Sequence, residues 1–132
     1  MTAALTHPAD LPACPWAGRA LVLDEDPVMR VALQHVLSLL GWQVEVLGEE
    51  LAAALDAVAG GDAAYGLVVL DRALGDGLAD DLARMLPLLQ PTAHVVMLTS
   101  AVLCPVPEGV DRLLPRAGGL GPLLDHLAAR TA

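Results

Sequence analysis

The stretch LVLDEDPVMRVALQHVLSLLGWQVEVLG, Leu21–Gly48, decides the fold. It opens inside the apolar run Ala20–Leu23, which stops at Asp24, Glu25 and Asp26. A short run rich in Val and Leu, cut off this sharply, reads as a strand buried on both faces of a parallel sheet. Asp26-Pro27 then starts a helix, because Asp can cap and Pro is favoured at the first helical position. Val28, Val31, Ala32, His35, Val36, Leu39 and Leu40 follow at helical spacing, and Gly41 closes the helix. Gln43–Leu47 alternates apolar and polar residues, the pattern of a strand with one covered face. Strand, helix and strand in this order form one unit of an α/β fold.

The same grammar extends outward in both directions. Glu49–Ala59 reads as a second helix closed by Gly60-Gly61, and Leu67–Leu70 as a third strand. Leu78–Leu89 reads as a third helix that Pro87 is expected to fray. Val95–Leu98 and Arg112–Leu114 read as the fourth and fifth strands, and Leu120–Arg130 as the last helix. One crossover is irregular. Thr99–Asp111 contains Pro105 and Pro107 and is too short for a regular helix, so it is expected to be a loop with at most one helical turn near Ala101–Cys104. Residues 1–18, with Pro8, Pro12 and Pro15, are expected to be a flexible leader that packs locally through Trp16. Residues 19–132 are expected to form one α/β domain, a doubly wound five-stranded parallel sheet with a shortened or missing fourth helix.

The strands end on a chemically coherent set. The first runs into Asp24-Glu25-Asp26, the third into Asp71, the fourth into Thr99-Ser100 and the fifth into Arg116. Ligands of parallel sheets bind outside the carboxyl ends of the strands. Carboxylates, a hydroxyl and a guanidinium at one sheet edge suit a divalent cation and a phosphoryl group. Taken alone, Asp24-Glu25-Asp26 reads more simply as a solvated turn and cap; Asp71 at the end of another strand shifts the balance. Arg116 has a surface ion pair as its plain alternative, Asp76, Asp80 and Asp81 read as the acidic start of a helix, and Arg30 reads as lying on an exposed helix face.

Composition narrows the function further. The 132 residues carry a net charge of −9, which is unsuited to nucleic acid. All seven cationic residues are arginines. Cys14 and Cys104 show no metal spacing, and the four histidines are scattered. Met85–Pro107 is free of charge but interrupted by prolines, so no membrane span is expected. Met1–Gly18 lacks the charged and apolar regions of a secretory signal, and the expected location is cytoplasmic.

These residues resemble the receiver domain of two-component response regulators (CheY-like) over roughly Arg19–Arg130. The resemblance implies a flavodoxin-like sheet in the order 2-1-3-4-5. It implies Asp71 as acceptor of a phosphoryl group from a histidine kinase or histidine phosphotransfer protein. Asp24, Glu25, Asp71 and the backbone carbonyl of Ala73 are implied as Mg²⁺ ligands. Thr99 is implied as the switch hydroxyl, and Arg116 stands where the family nearly always has lysine. Output would pass through a downstream protein, with homodimerisation left open. Beyond Mg²⁺-dependent self-phosphorylation and self-dephosphorylation, no enzyme activity is implied.

The chain also departs from that pattern. Arg116-Ala117 replaces the usual Lys-Pro, and Leu113 replaces a common aromatic. The stretch GVDRLLPRA, Gly109–Ala117, still matches the approach to the fifth strand. Ala73 and Ala101, two positions past Asp71 and Thr99, offer hydrolytic water no hydrogen bond, so slow self-dephosphorylation is expected. The rival readings are a phosphorylation-independent pseudo-receiver, used for protein binding or dimerisation, and a small phosphohydrolase with Asp71 as nucleophile. The latter has no evident acid–base residue.

Overall fold

The computed structural model describes residues 16–48, 51–59, 64–75, 77–101 and 104–130. The elements in chain order are β1 (Arg19–Leu23), α1 (Pro27–Leu39), β2 (Gln43–Leu47), α2 (Leu51–Ala59), β3 (Leu67–Asp71), α3 (Leu78–Leu89), β4 (His94–Thr99), β5 (Arg112–Pro115) and α4 (Gly121–Ala129). The five strands form one sheet in the order β2-β1-β3-β4-β5, every neighbouring pair parallel. This is the expected α/β fold. The strands end in step: Leu23 lies opposite both Leu47 and Leu70, Asp71 opposite Leu98, and Thr99 opposite Pro115. The polar residues that follow the apolar runs are thereby gathered at one edge.

Alternation along the strands divides the core between two faces. Ala20, Val22, Val69 and Val96 pack under Leu33 and Leu37 of α1 and Leu123 and Leu127 of α4. Leu21, Leu23, Leu70 and Met97 pack against Val58 of α2 and Leu82 and Leu86 of α3. The chain contains no phenylalanine, so aliphatic side chains fill most of both layers. Asp26 caps α1, its side chain accepting from the Val28 N–H at 3.0 Å, with Pro27 behind it. Gly41 takes φ +99° just past the helix, a conformation that L side chains resist.

Pro87 does not fray α3, which runs on to Leu89. Proline this late in a helix costs one hydrogen bond, the one its missing N–H would have given to the Ala83 carbonyl. The chain before β5 approaches that carbonyl closely at Gly109. Among the described residues between β4 and β5 none is helical; residues 102 and 103, inside the stretch where at most one turn is expected, lie outside the described set. This connection is nevertheless fastened. Val110 reaches the core beside α3, the Asp111 N–H donates to the Val95 carbonyl at 2.8 Å, and the Asp111 carboxylate accepts from the Val95 N–H at 2.8 Å.

The amino-terminal edge of the sheet is also tied together. Buried Gln90 accepts from the Tyr65 N–H at 2.9 Å and donates to the Val58 carbonyl at 2.9 Å, joining the ends of α2 and α3 to the entrance of β3. Tyr65 donates its hydroxyl to Glu45. His94 and His126 stack with their Nε2 atoms 2.8 Å apart, one necessarily donating to the other. Of the expected leader, Trp16 packs edge-on to Trp42 with ring centres 4.9 Å apart, beneath the Arg130 guanidinium, and Gly18 accepts from the Gln43 N–H. Residues 1–15, including Cys14, lie outside the described residues, as do 49–50 at the expected start of α2 and the Gly60-Gly61 closure. No helix among the described residues is long and apolar enough to cross a membrane.

Candidate functional site

Asp24 follows β1 directly and is 1% exposed. Its N–H extends the β1–β2 ladder by donating to the Leu47 carbonyl at 3.1 Å, which fixes the side chain over the sheet edge. Its Oδ1 accepts from the Asp26 N–H at 2.9 Å. Asp71 is the last residue of β3 and is also buried. Its Oδ1 accepts from the Ala73 N–H at 3.1 Å, an Asx-type turn that orients the carboxylate. The chain leaves this turn through the Arg72 N–H, which donates to the Leu98 carbonyl at 2.9 Å.

Thr99 closes β4 and is buried. Its Oγ1 accepts from the Ala101 N–H at 3.0 Å, which leaves the hydroxyl proton free to donate elsewhere. Arg116 follows β5, and its N–H donates to the Thr99 carbonyl at 2.8 Å. Its side chain turns toward β1. Nη1 donates to Asp24 Oδ2 at 2.8 Å and Nη2 to Asp24 Oδ1 at 3.3 Å, a two-pronged pair. The same guanidinium reaches Asp26 Oδ2 at 3.4 Å and stands 3.5 Å from Asp71 Oδ1.

Burial pushes the Asp71 carboxyl above the ordinary carboxylate range. The neighbouring Asp24 charge adds to that rise, while the Ala73 N–H and the Arg116 charge oppose it. The hydrogen bond to Asp24 holds the Arg116 guanidinium protonated more firmly still. The site is short of positive charge despite one arginine.

The structure therefore brings Asp24, Asp71, Thr99 and Arg116 to one edge. It leaves Glu25 exposed, and among the described residues Glu25 makes no ion pair. Asp26, read from sequence as a cap, joins the cluster through Arg116. Ala73 contributes its N–H to Asp71. Arg30, expected on an exposed helix face, is a site residue that sequence reasoning missed. It is half-buried, and its Nη1 donates to the Asp24 carbonyl at 2.9 Å. A hint lay at Gly48, where a Cβ would stand 2.9 Å from that Nη1.

Two adjacent buried carboxylates fit a divalent cation, since Mg²⁺ commonly uses only one or two carboxylates plus water. The fit is qualified by Arg116, which engages both Asp24 oxygens. Among the described residues no three His, Cys, Asp or Glu side chains group as a metal site.

No protein-family model matches the chain, and no curated protein matches it. Solved structures do. A response regulator protein from Burkholderia pseudomallei, solved with a phosphorylated aspartic acid and a calcium ion, is 24% identical with a TM-score of 0.71. That match covers 83% of this chain and 66% of the other, so this chain spans just under two thirds of it. A CheY-like receiver domain protein from Methanospirillum hungatei is 19% identical with a TM-score of 0.72, covering 85% of this chain and 91% of its own. The Thermotoga maritima complex of histidine kinase ThkA with response regulator protein TrrA contains a chain that is 20% identical with a TM-score of 0.69, covering 84% and 96%. These likenesses establish the fold as that of receiver domains.

Proposed function

We propose that this domain is a receiver: Asp71 accepts a phosphoryl group from a histidine of a kinase or phosphotransfer protein, and the output is a protein contact. One observation carries the reading. Asp71 is buried beside Asp24 at the carboxyl edge of a parallel sheet, with the Thr99 hydroxyl on the next strand. An Asp71 oxygen attacks phosphorus as the bond from phosphorus to the donor imidazole breaks. The Ala73 N–H holds Asp71 Oδ1 in place for this, at 3.1 Å. The free proton of the Thr99 hydroxyl suits a phosphoryl oxygen. Arg116 can cover another oxygen once its guanidinium turns from Asp24, since arginine binds phosphate bidentately. Bound Mg²⁺ would be held by Asp24 and Asp71, with Glu25 and the Ala73 carbonyl as further donors, and would neutralise charge on the phosphoryl oxygens.

The surroundings support a protein partner. Val28 and Val31 on α1 are 77% and 68% exposed, within two turns of Asp26, and offer apolar surface beside the site. The net charge of −9 argues against DNA as the direct target.

The test is acetyl phosphate and Mg²⁺ followed by intact mass, with Asp71→Ala as control. An acid-stable, base-labile adduct absent from the variant is expected. A second reading is favoured by the two-pronged grip of Arg116 on Asp24: a pseudo-receiver that works without phosphorylation. A folded protein that takes no label, while a known receiver labels in parallel, would select it.

A further inference from the structure

The acidic pocket contains a cation of its own. Asp24 is almost completely removed from water, and buried charge is tolerated only when paired. Here the pairing is complete without any ion. Both Asp24 oxygens receive an Arg116 N–H, Oδ1 also receives the Asp26 N–H, and the same guanidinium faces Asp71 and Asp26. Its backbone is pinned as well, through the Arg116 N–H on the Thr99 carbonyl. A planar fork suits this grip, presenting two parallel N–H donors to the two oxygens where an ammonium acts as a point charge.

We propose that Arg116 is the resident cation of the pocket, and that a divalent cation gains Asp24 only by displacing it. The fork engages both oxygens of Asp24, and Oδ1 also holds the Asp26 N–H, so a metal ligating this carboxylate competes with Arg116 for the same oxygens. The apparent affinity for metal is therefore lowered by the fraction of molecules in which the fork has let go. In the metal-free wild type Asp24 is already paired, and added metal contributes little to stability. The inference concerns the unphosphorylated pocket, and it stands whether or not Asp71 is a phosphoacceptor.

The experiment needs no phosphoryl donor. Mg²⁺ and Mn²⁺ are titrated calorimetrically into the full chain, into Arg116→Gln and into Arg84→Gln, which removes the same charge from an exposed pair with Asp81. Melting is followed for each in EDTA and in excess Mg²⁺. Arg116→Gln is expected to bind metal at least about tenfold more tightly than wild type, the mass-action return of a competitor removed. It should melt lower in EDTA and recover with Mg²⁺, while wild type and Arg84→Gln shift little. Equal metal affinity in wild type and Arg116→Gln would overturn the proposal, as would equal tightening in Arg84→Gln. Should Arg116→Gln fail to fold, the side-chain NMR signals of Arg116 in wild type decide. Saturating Mg²⁺ is expected to release the restrained guanidinium, and an Arg116 signal unchanged at saturation would refute displacement.

Discussion

Gly109 and the Ala83 carbonyl meet so closely that a Cβ on Gly109 would stand 1.8 Å from the oxygen. That oxygen is the one Pro87 cannot satisfy, four residues further along α3. The irregular connection before β5 thus uses a gap that proline opened in the helix. Gly109 also sits at φ +87°. Gly109→Ala is expected to cost on the order of 3 kcal/mol, from backbone collision and a disfavoured dihedral together. A urea midpoint within error of wild type would contradict this packing.

Gln90 serves two buried backbone groups at once, the Tyr65 N–H and the Val58 carbonyl. Gln90→Leu fills similar space but leaves both without this partner. Each unmet buried group costs about 1–3 kcal/mol, so a total loss of about 2–6 kcal/mol is expected in chemical denaturation.

Tyr65 is the only tyrosine in the chain, so phenolate absorbance reports it alone. Burial, followed by the hydrogen bond and charge of Glu45, pushes its hydroxyl up to about 12. Because the folded value lies above the unfolded one, the stabilisation is complete below about 10 and is lost as pH rises through 12. Glu45→Gln removes the carboxylate charge and is expected to bring the absorbance midpoint down, with burial still raising it and Arg19 still opposing.

The His94–His126 pair sets the acid side. Burial lowers both imidazoles. Arg130 adds to this for both, Arg112 for His126 and the His126 charge for His94, while the Asp111 carboxylate opposes it at His94. Folded values below the unfolded 6.5 mean that the pair supports the fold above that pH and loses this support as pH falls below it. His126→Gln keeps a hydrogen-bonding group but does not titrate. Its stability should vary less between pH 7 and 5 than that of wild type, a window set by the ordinary histidine value.

Ala73 and Ala101 are exposed beside the site, and neither side chain can hold a water. If Asp71 is labelled, the adduct should outlast seconds once the donor is removed. Polar side chains placed at both positions, Ala73→Asn with Ala101→Ser, test whether decay is limited there, with mass spectrometry over time as the readout. Decay within seconds in the wild type would contradict the expectation.

The three inner strands were legible because each is a compact apolar run, the pattern of strands buried on both faces, and Gln43–Leu47 was legible by its alternation. Asp24, Asp71 and Thr99 were legible because they terminate those runs. The aim of Arg116 was not. A long side chain at a strand end can point across the edge in several directions, and only the tertiary position of Asp24 selects one. Arg30 was misplaced for a related reason: helical periodicity marks the face toward the sheet, not the path of a guanidinium over the helix end. Pro87 misled because its penalty depends on whether the freed carbonyl is met elsewhere. The histidine pair, 32 positions apart, left no local trace.

The grip of Arg116 on Asp24 also has a direction in time. The partners are 92 positions apart, and the acidic one is made first. At ribosomal rates of about 5–20 residues per second, Asp24 waits roughly five to twenty seconds for its counter-charge. Until then Asp24, just beyond β1, and Asp71, at the end of β3, have reason to stay hydrated. The last strand thus acts as a keystone, its arrival converting an open acidic rim into a closed one.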